Sequence, residues 1–73
     1  MKIFKASVKY FNNDIINIYM LPIEIINIIP PDSYEDSDDI DIKCRILTKD
    51  YRFWKCTEDL EVIIKRWEDC FNL

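Results

Sequence analysis

The sequence predicts an α+β domain, an antiparallel sheet of four to five strands with one C-terminal amphipathic helix on one face. Three observations carry that prediction. Apolar and polar residues alternate with period two in the first third of the chain and again after residue 40. Both alternating stretches are interrupted by turn-forming residues, and the last sixteen residues switch to spacings of three and four. With 73 residues there is room for one such layer pair and no second domain.

Residues 2 to 11 open the chain as a strand: Phe4, Ala6, Val8 and Tyr10 point one way, Lys5, Ser7 and Lys9 the other. Asn12, Asn13 and Asp14 follow. Their short polar side chains tolerate left-handed backbone, so they supply the turn of a hairpin into residues 15 to 21. That second strand carries isoleucines on both faces, which predicts a place inside the sheet. Pro22 ends it, since proline has no amide hydrogen to give a neighbour. Ile23 to Ile29 is then a separate strand or a turn leading into one, closed by Pro30 and Pro31.

Residues 32 to 41, DSYEDSDDID, hold six acids in ten positions and predict a mobile, solvated acidic loop. Alternation resumes with Ile40, Ile42, Cys44 and Ile46. Thr48, Lys49 and Asp50 turn the chain into Tyr51 to Cys56, a second hairpin. In the C-terminal helix Leu60, Ile63, Ile64, Trp67 and Phe71 form one stripe. Thr57 is the expected N-cap, with Glu58, Asp59 and Glu61 at the positive end of the helix dipole and Glu61 paired to Lys65.

Composition excludes most chemistry. The chain has no histidine, so no Ser-His or Cys-His pair exists and the commonest metal ligand is missing. It also has no glycine, which removes phosphate-cradling loops and dinucleotide fingerprints. Cys44, Cys56 and Cys70 are odd in number and widely spaced, as reduced, packed thiols would be, and without histidine a structural zinc site is not expected. The acidic loop has Ile40 at a position where an EF-hand needs a ligand. No enzyme activity, cofactor or metal is predicted. The opening MKIFKASVKYF does not read as a signal peptide, no run is long enough to span a membrane, and a cytoplasmic location is expected.

A formal charge of −4 disfavours direct nucleic-acid binding, which would need Lys5, Lys9, Lys43 and Arg45 gathered into a basic stripe. Another protein is the expected partner, and a homodimer is expected. One helix covers one face of a sheet, so large rings on the other face are exposed or covered by another chain. Phe53 and Trp54 must point to opposite faces. The expected contact residues are Tyr19, Tyr51 and Trp54 on the sheet with Tyr34, Glu35, Asp36, Asp38 and Asp39 on the loop, because tyrosine and tryptophan carry interface energy and carboxylates complement a basic surface.

Two further readings concern biological setting. Fourteen isoleucines against two valines, one alanine and no glycine reflect AT-rich codons, which together with small size and missing catalytic groups points to a phage or mobile-element inhibitor of a host system, in the style of anti-CRISPR proteins, acting by occlusion. The same acidic loop read as a phosphate mimic would block a nucleic-acid channel. The order LPIEIINIIPPDS (Leu21 to Ser33), DIKCRILTKDYRFWKCT (Asp41 to Thr57) and a helix from Glu58 resembles the small FlbD-like proteins of bacterial flagellar operons over residues 15 to 67. It departs from them in having Asp50 where they usually place a turn glycine, and in the insert at 32 to 41. The resemblance implies the same strand, turn, strand, hairpin and helix layout, and an accessory or regulatory role in a flagellar system.

Overall fold

The computed structural model of the protein describes residues 1 to 72. Five strands, β1 (Phe4–Lys9), β2 (Ile15–Met20), β3 (Ile25–Ile29), β4 (Cys44–Thr48) and β5 (Phe53–Cys56), precede one helix, α1 (Leu60–Asp69). The sheet is antiparallel throughout, in the order β2-β1-β5-β4-β3. The α+β architecture is therefore the one the alternation predicts.

The order places β2 and β3 at opposite edges although only Leu21 to Glu24 join them. Successive antiparallel pairings also make these two strands run in the same direction. In a flat sheet, Met20 and Ile25 would lie four strand spacings apart, about 19 Å, and at opposite strand ends. Five chain steps reach at most about 18 Å. The sheet must coil, and its concave face becomes the core. Phe4, Ala6, Val8, Cys44, Ile46 and Cys56 all lie on that face with no exposure.

Helix α1 closes the concave face against β1 and β3. Ile63 is fully buried there, with Leu60, Ile64 and Trp67 packed around it. Phe71, assigned by spacing to the same stripe, lies beyond the helix end and packs edge-on against Trp67 at a centroid distance of 6.4 Å. Cys70 takes the buried place instead. The Trp67 indole Nε1 donates to the Pro22 carbonyl at 2.9 Å, fastening the helix to the link between the two edges.

Several expectations are corrected. The second strand is an edge, because β5 takes the free side of β1. The fourth begins at Cys44 rather than Ile40, and residues 39 to 42 form turns that bury Ile42. Thr57 does not cap the helix. Its N–H and Oγ1 both donate to the Ser7 carbonyl, at 2.9 and 3.1 Å, so it prolongs the β1–β5 ladder, and Asp59 occupies the cap position without a side-chain bond. Glu58, expected in the first helical turn, accepts the Ser7 N–H at 3.0 Å and pairs with Arg66 at 2.8 Å. Arg66 in turn donates to the Lys5 carbonyl at 2.9 Å. Two side chains thus continue the ladder where β5 has ended.

Candidate protein-binding site

The convex face is built from the odd-numbered residues of β1 with Arg45 and Lys55, which pair across β4 and β5. Residues 32 to 41 fold over this face instead of extending into solvent. Asp32 Oδ1 accepts the backbone N–H of Tyr34 and Glu35, at 2.7 and 2.8 Å, which turns the chain and aims Asp36 inward. The Asp36 side chain is 1% exposed and accepts from Arg45 Nε at 2.7 Å and Nη2 at 3.2 Å. Lys55 approaches it at 3.4 Å, Glu35 takes the other side of Arg45 at 2.8 Å, and Lys9 holds Asp39 at 3.0 Å and Asp41 at 3.3 Å.

The charges respond to this pairing. The Arg45 guanidinium holds the Asp36 carboxyl below the usual carboxylate range despite its burial. Hydrogen bonding to Asp39 raises Lys9 and lowers Asp39 in return. The expected mobile loop is thus a strut, because three cations on the sheet face it. Of the loop residues expected to meet a partner, Asp36 and Asp39 turn toward their own sheet, and Glu35 pairs with Arg45 while its side chain stays exposed. Tyr34, 92% exposed, and Asp38 remain on the outside.

Sheet coiling also gathers aromatic rings at one end. Val8 pairs with Cys56 and Lys9 with Lys55, so Tyr10 comes opposite Trp54, and their rings stack at 6.0 Å. Phe11 meets Tyr10 edge-on at 4.4 Å. The Arg52 guanidinium lies 5.1 Å from the Trp54 ring, and the Arg45 guanidinium 5.7 Å from Phe53. Phe53 and Trp54 do lie on opposite faces, Trp54 packed against the core and Phe53 exposed.

Trp54 separates two clefts. One, about 390 Å³, is lined by Ile18, Met20 and Trp54, with Tyr19, Glu24 and Asp50 around it. The other, about 350 Å³, lies among Tyr10, Phe11 and Phe53, with Lys9 and Arg52. Carboxylates therefore stand on one side of the indole and cations on the other. Tyr51, 87% exposed, projects from the β4–β5 turn beside Asp50.

The structure thus places Tyr19 at the rim of the Trp54 cleft, on the other face of the sheet by its pairing with Lys5, and leaves Tyr34 and Asp38 on a separate surface. Sequence reasoning missed Tyr10, Phe11, Phe53 and Arg52 as parts of this end. Their proximity depends on the β1–β5 pairing, which joins residues more than forty apart. No group of three or more Cys, Asp or Glu side chains suited to a metal ion occurs among the described residues. The Cys44 thiol is pushed up by its hydrogen bond with Cys56 and by burial, and is held protonated. No described helix is long and apolar enough to cross a membrane. Compared with known protein families, curated proteins and solved structures, the chain matches none.

Proposed function

We propose that this protein is a non-enzymatic protein-interaction module that binds a partner through its aromatic end and acts by occlusion, as inhibitors encoded by phages and mobile elements do against host systems. One observation carries the reading: Trp54, Tyr10 and Phe11 pack ring to ring, and Phe53 lines the same cleft, with Phe11 74% and Phe53 47% exposed. Rings of this kind, half-sunk and flanked by charges of both signs, are where interface energy concentrates. The cleft beside Glu24 and Asp50 suits a basic side chain of the partner, with its stem along Ile18, Met20 and Trp54 and its head at the carboxylates. Residues 32 to 41 are not assigned this role, since Lys9, Arg45 and Lys55 neutralise much of their charge.

The test is affinity capture from host cells with the tagged protein and four folded variants. Phe11→Ser and Phe53→Ser are expected to reduce recovery of a captured partner at least about tenfold. Tyr34→Ala and Asp38→Asn are expected to recover it unchanged. Equal recovery by all four variants removes the aromatic end from the argument.

A further inference from the structure

Strand β2 is an edge whose outward backbone groups can be named. The Tyr10 N–H donates to the Asp14 carbonyl at 2.7 Å, which marks that pair as hydrogen-bonded. Stepping by two along the register, Val8 with Ile16, Ala6 with Ile18 and Phe4 with Met20 are hydrogen-bonded pairs as well. On the other side of β1, the Thr57 N–H reaches the Ser7 carbonyl, so the odd residues of β1 serve β5. The N–H and C=O groups of Ile15, Asn17 and Tyr19 therefore point away from the sheet. None of them appears in a turn, loop or side-chain hydrogen bond among the described residues.

The opposite edge is protected. Pro22 precedes β3, its register shifts between Ile25 and Asn27, and the Asn27 Oδ1 accepts the Ile28 N–H at 2.9 Å. No such device protects β2, which contains no proline, no lysine and no charged residue in Ile15–Met20.

We propose that β2 pairs antiparallel with β2 of a second copy of this chain, about a twofold axis through Asn17, making one continuous sheet across the dimer. The occupant follows from the pattern of the strand. Ile15-Ile16-Asn17-Ile18-Tyr19 reads with the same chemical character in both directions, so a twofold sets Ile15 against Tyr19, Ile16 against Ile18 and Asn17 against itself. Isoleucine against tyrosine is a favourable cross-strand pair, and one asparagine amide donates to the other. This register pairs all three outward residues of each copy, whereas a slip by one step toward either end leaves one of them unpaired. Charge points the same way. A molecule of net charge −4 repels its own copy, and β2 offers a neutral strip along which two copies approach. The contact does not use Trp54, Phe11 or Phe53, although it borders the cleft proposed above at Ile18 and Tyr19.

Sedimentation equilibrium on the purified protein from about 1 to 300 µM tests the proposal. The wild type is expected to pass from monomer to dimer. Asn17→Pro removes an outward N–H and leaves the β1 ladder intact, and it is expected to weaken the dimer at least tenfold. Asn17→Lys, which sets like charges face to face on the axis, is expected to do the same. Cysteine trapping reads the register. Across a hydrogen-bonded pair Cα atoms lie about 5.5 Å apart, within disulfide reach, so Asn17→Cys is expected to form a covalent dimer on mild oxidation. In Ile16→Cys the two copies of residue 16 lie about 8 Å apart and are expected to remain unlinked. The three native thiols are buried and add little background. A monomer at all concentrations, an undiminished dimer in folded Asn17→Pro and Asn17→Lys, or equal linking of both cysteine variants overturns the pairing. Phe53→Ser is expected to keep the dimer, so failure here and failure of partner capture are separate results.

Discussion

Arg45 and Asp36 meet inside the protein, Nε to Oδ2 at 2.7 Å, with the two side chains 9% and 1% exposed. A buried pair of this kind costs little while both members are present and much when one is removed. Arg45→Met is expected to destabilise the fold by about 3 kcal/mol, because Asp36 keeps its burial and loses both hydrogen bonds from Arg45, with only the half-exposed Lys55 left as a counter-charge. The double variant Asp36→Leu with Arg45→Met is expected to recover most of that loss. Urea unfolding of the three proteins measures both.

Acid exposes the same dependence. The Asp36 carboxyl is held low chiefly by its hydrogen bond from Arg45, and the Glu58 carboxyl by its hydrogen bond from Arg66. Groups whose folded values lie below their unfolded ones add stability that is full above the unfolded value and drains as pH falls through the folded one. The urea midpoint is therefore expected to hold down to about pH 5 and to drop below about pH 4. In Asp36→Asn that drop is expected to be shallower. An equally steep drop would place the sensitivity elsewhere.

Tyr51 sits in the β4–β5 turn at φ 61°, a left-handed conformation that a side chain with a Cβ resists, while its ring is almost fully exposed. Asparagine tolerates this backbone, and Asn12 and Asn13 already serve it in the first hairpin. Tyr51→Asn is expected to stabilise the protein by about 0.5 to 1 kcal/mol, read as a rise in thermal midpoint. A fall would mean that the tyrosine ring makes contacts that matter more than its backbone.

Glu58 accepts the Ser7 amide in place of a strand. Glu58→Ala is expected to cost about 1.5 to 3 kcal/mol, since the bond is charge-assisted and Arg66 loses its partner with it. Hydrogen exchange localises the effect: the Ser7 amide is expected to exchange faster by at least tenfold, with the Tyr10 amide little changed. Uniform acceleration would indicate global destabilisation instead.

Local periodicity made the strands, both hairpins and the helix face legible, because each depends on residues a few positions apart. Phe4, Ala6 and Val8 are core on alternation alone, and the opposed faces of Phe53 and Trp54 follow from the pleat. What alternation could not reveal was strand order. The isoleucines on both sides of β2 read as an interior strand, yet the free side of β1 is taken by β5, fifty residues away. The acidic segment misled for a related reason. Six acids in ten positions describe a solvated loop until Lys9, Arg45 and Lys55 are known to share one face, and only tertiary pairing shows that. The aromatic end was half legible: Trp54 and Tyr19 were nameable from residue type, Tyr10 and Phe11 were not.

The central position of β1 has a consequence for biosynthesis. Ser7 is bonded by Thr57 and Glu58, and the Lys2 N–H reaches the Cys70 carbonyl at 2.8 Å, so the first strand waits for the last segment of the chain. A nascent polypeptide leaving the ribosome forms its opening hairpin with β1 unsatisfied on one side and β2 on the other. That hairpin remains a sticky two-stranded ribbon until translation has delivered everything from Phe53 onward. Closure of the sheet is consequently a late step in folding, and a chain cut before the helix is expected to give an aggregation-prone fragment.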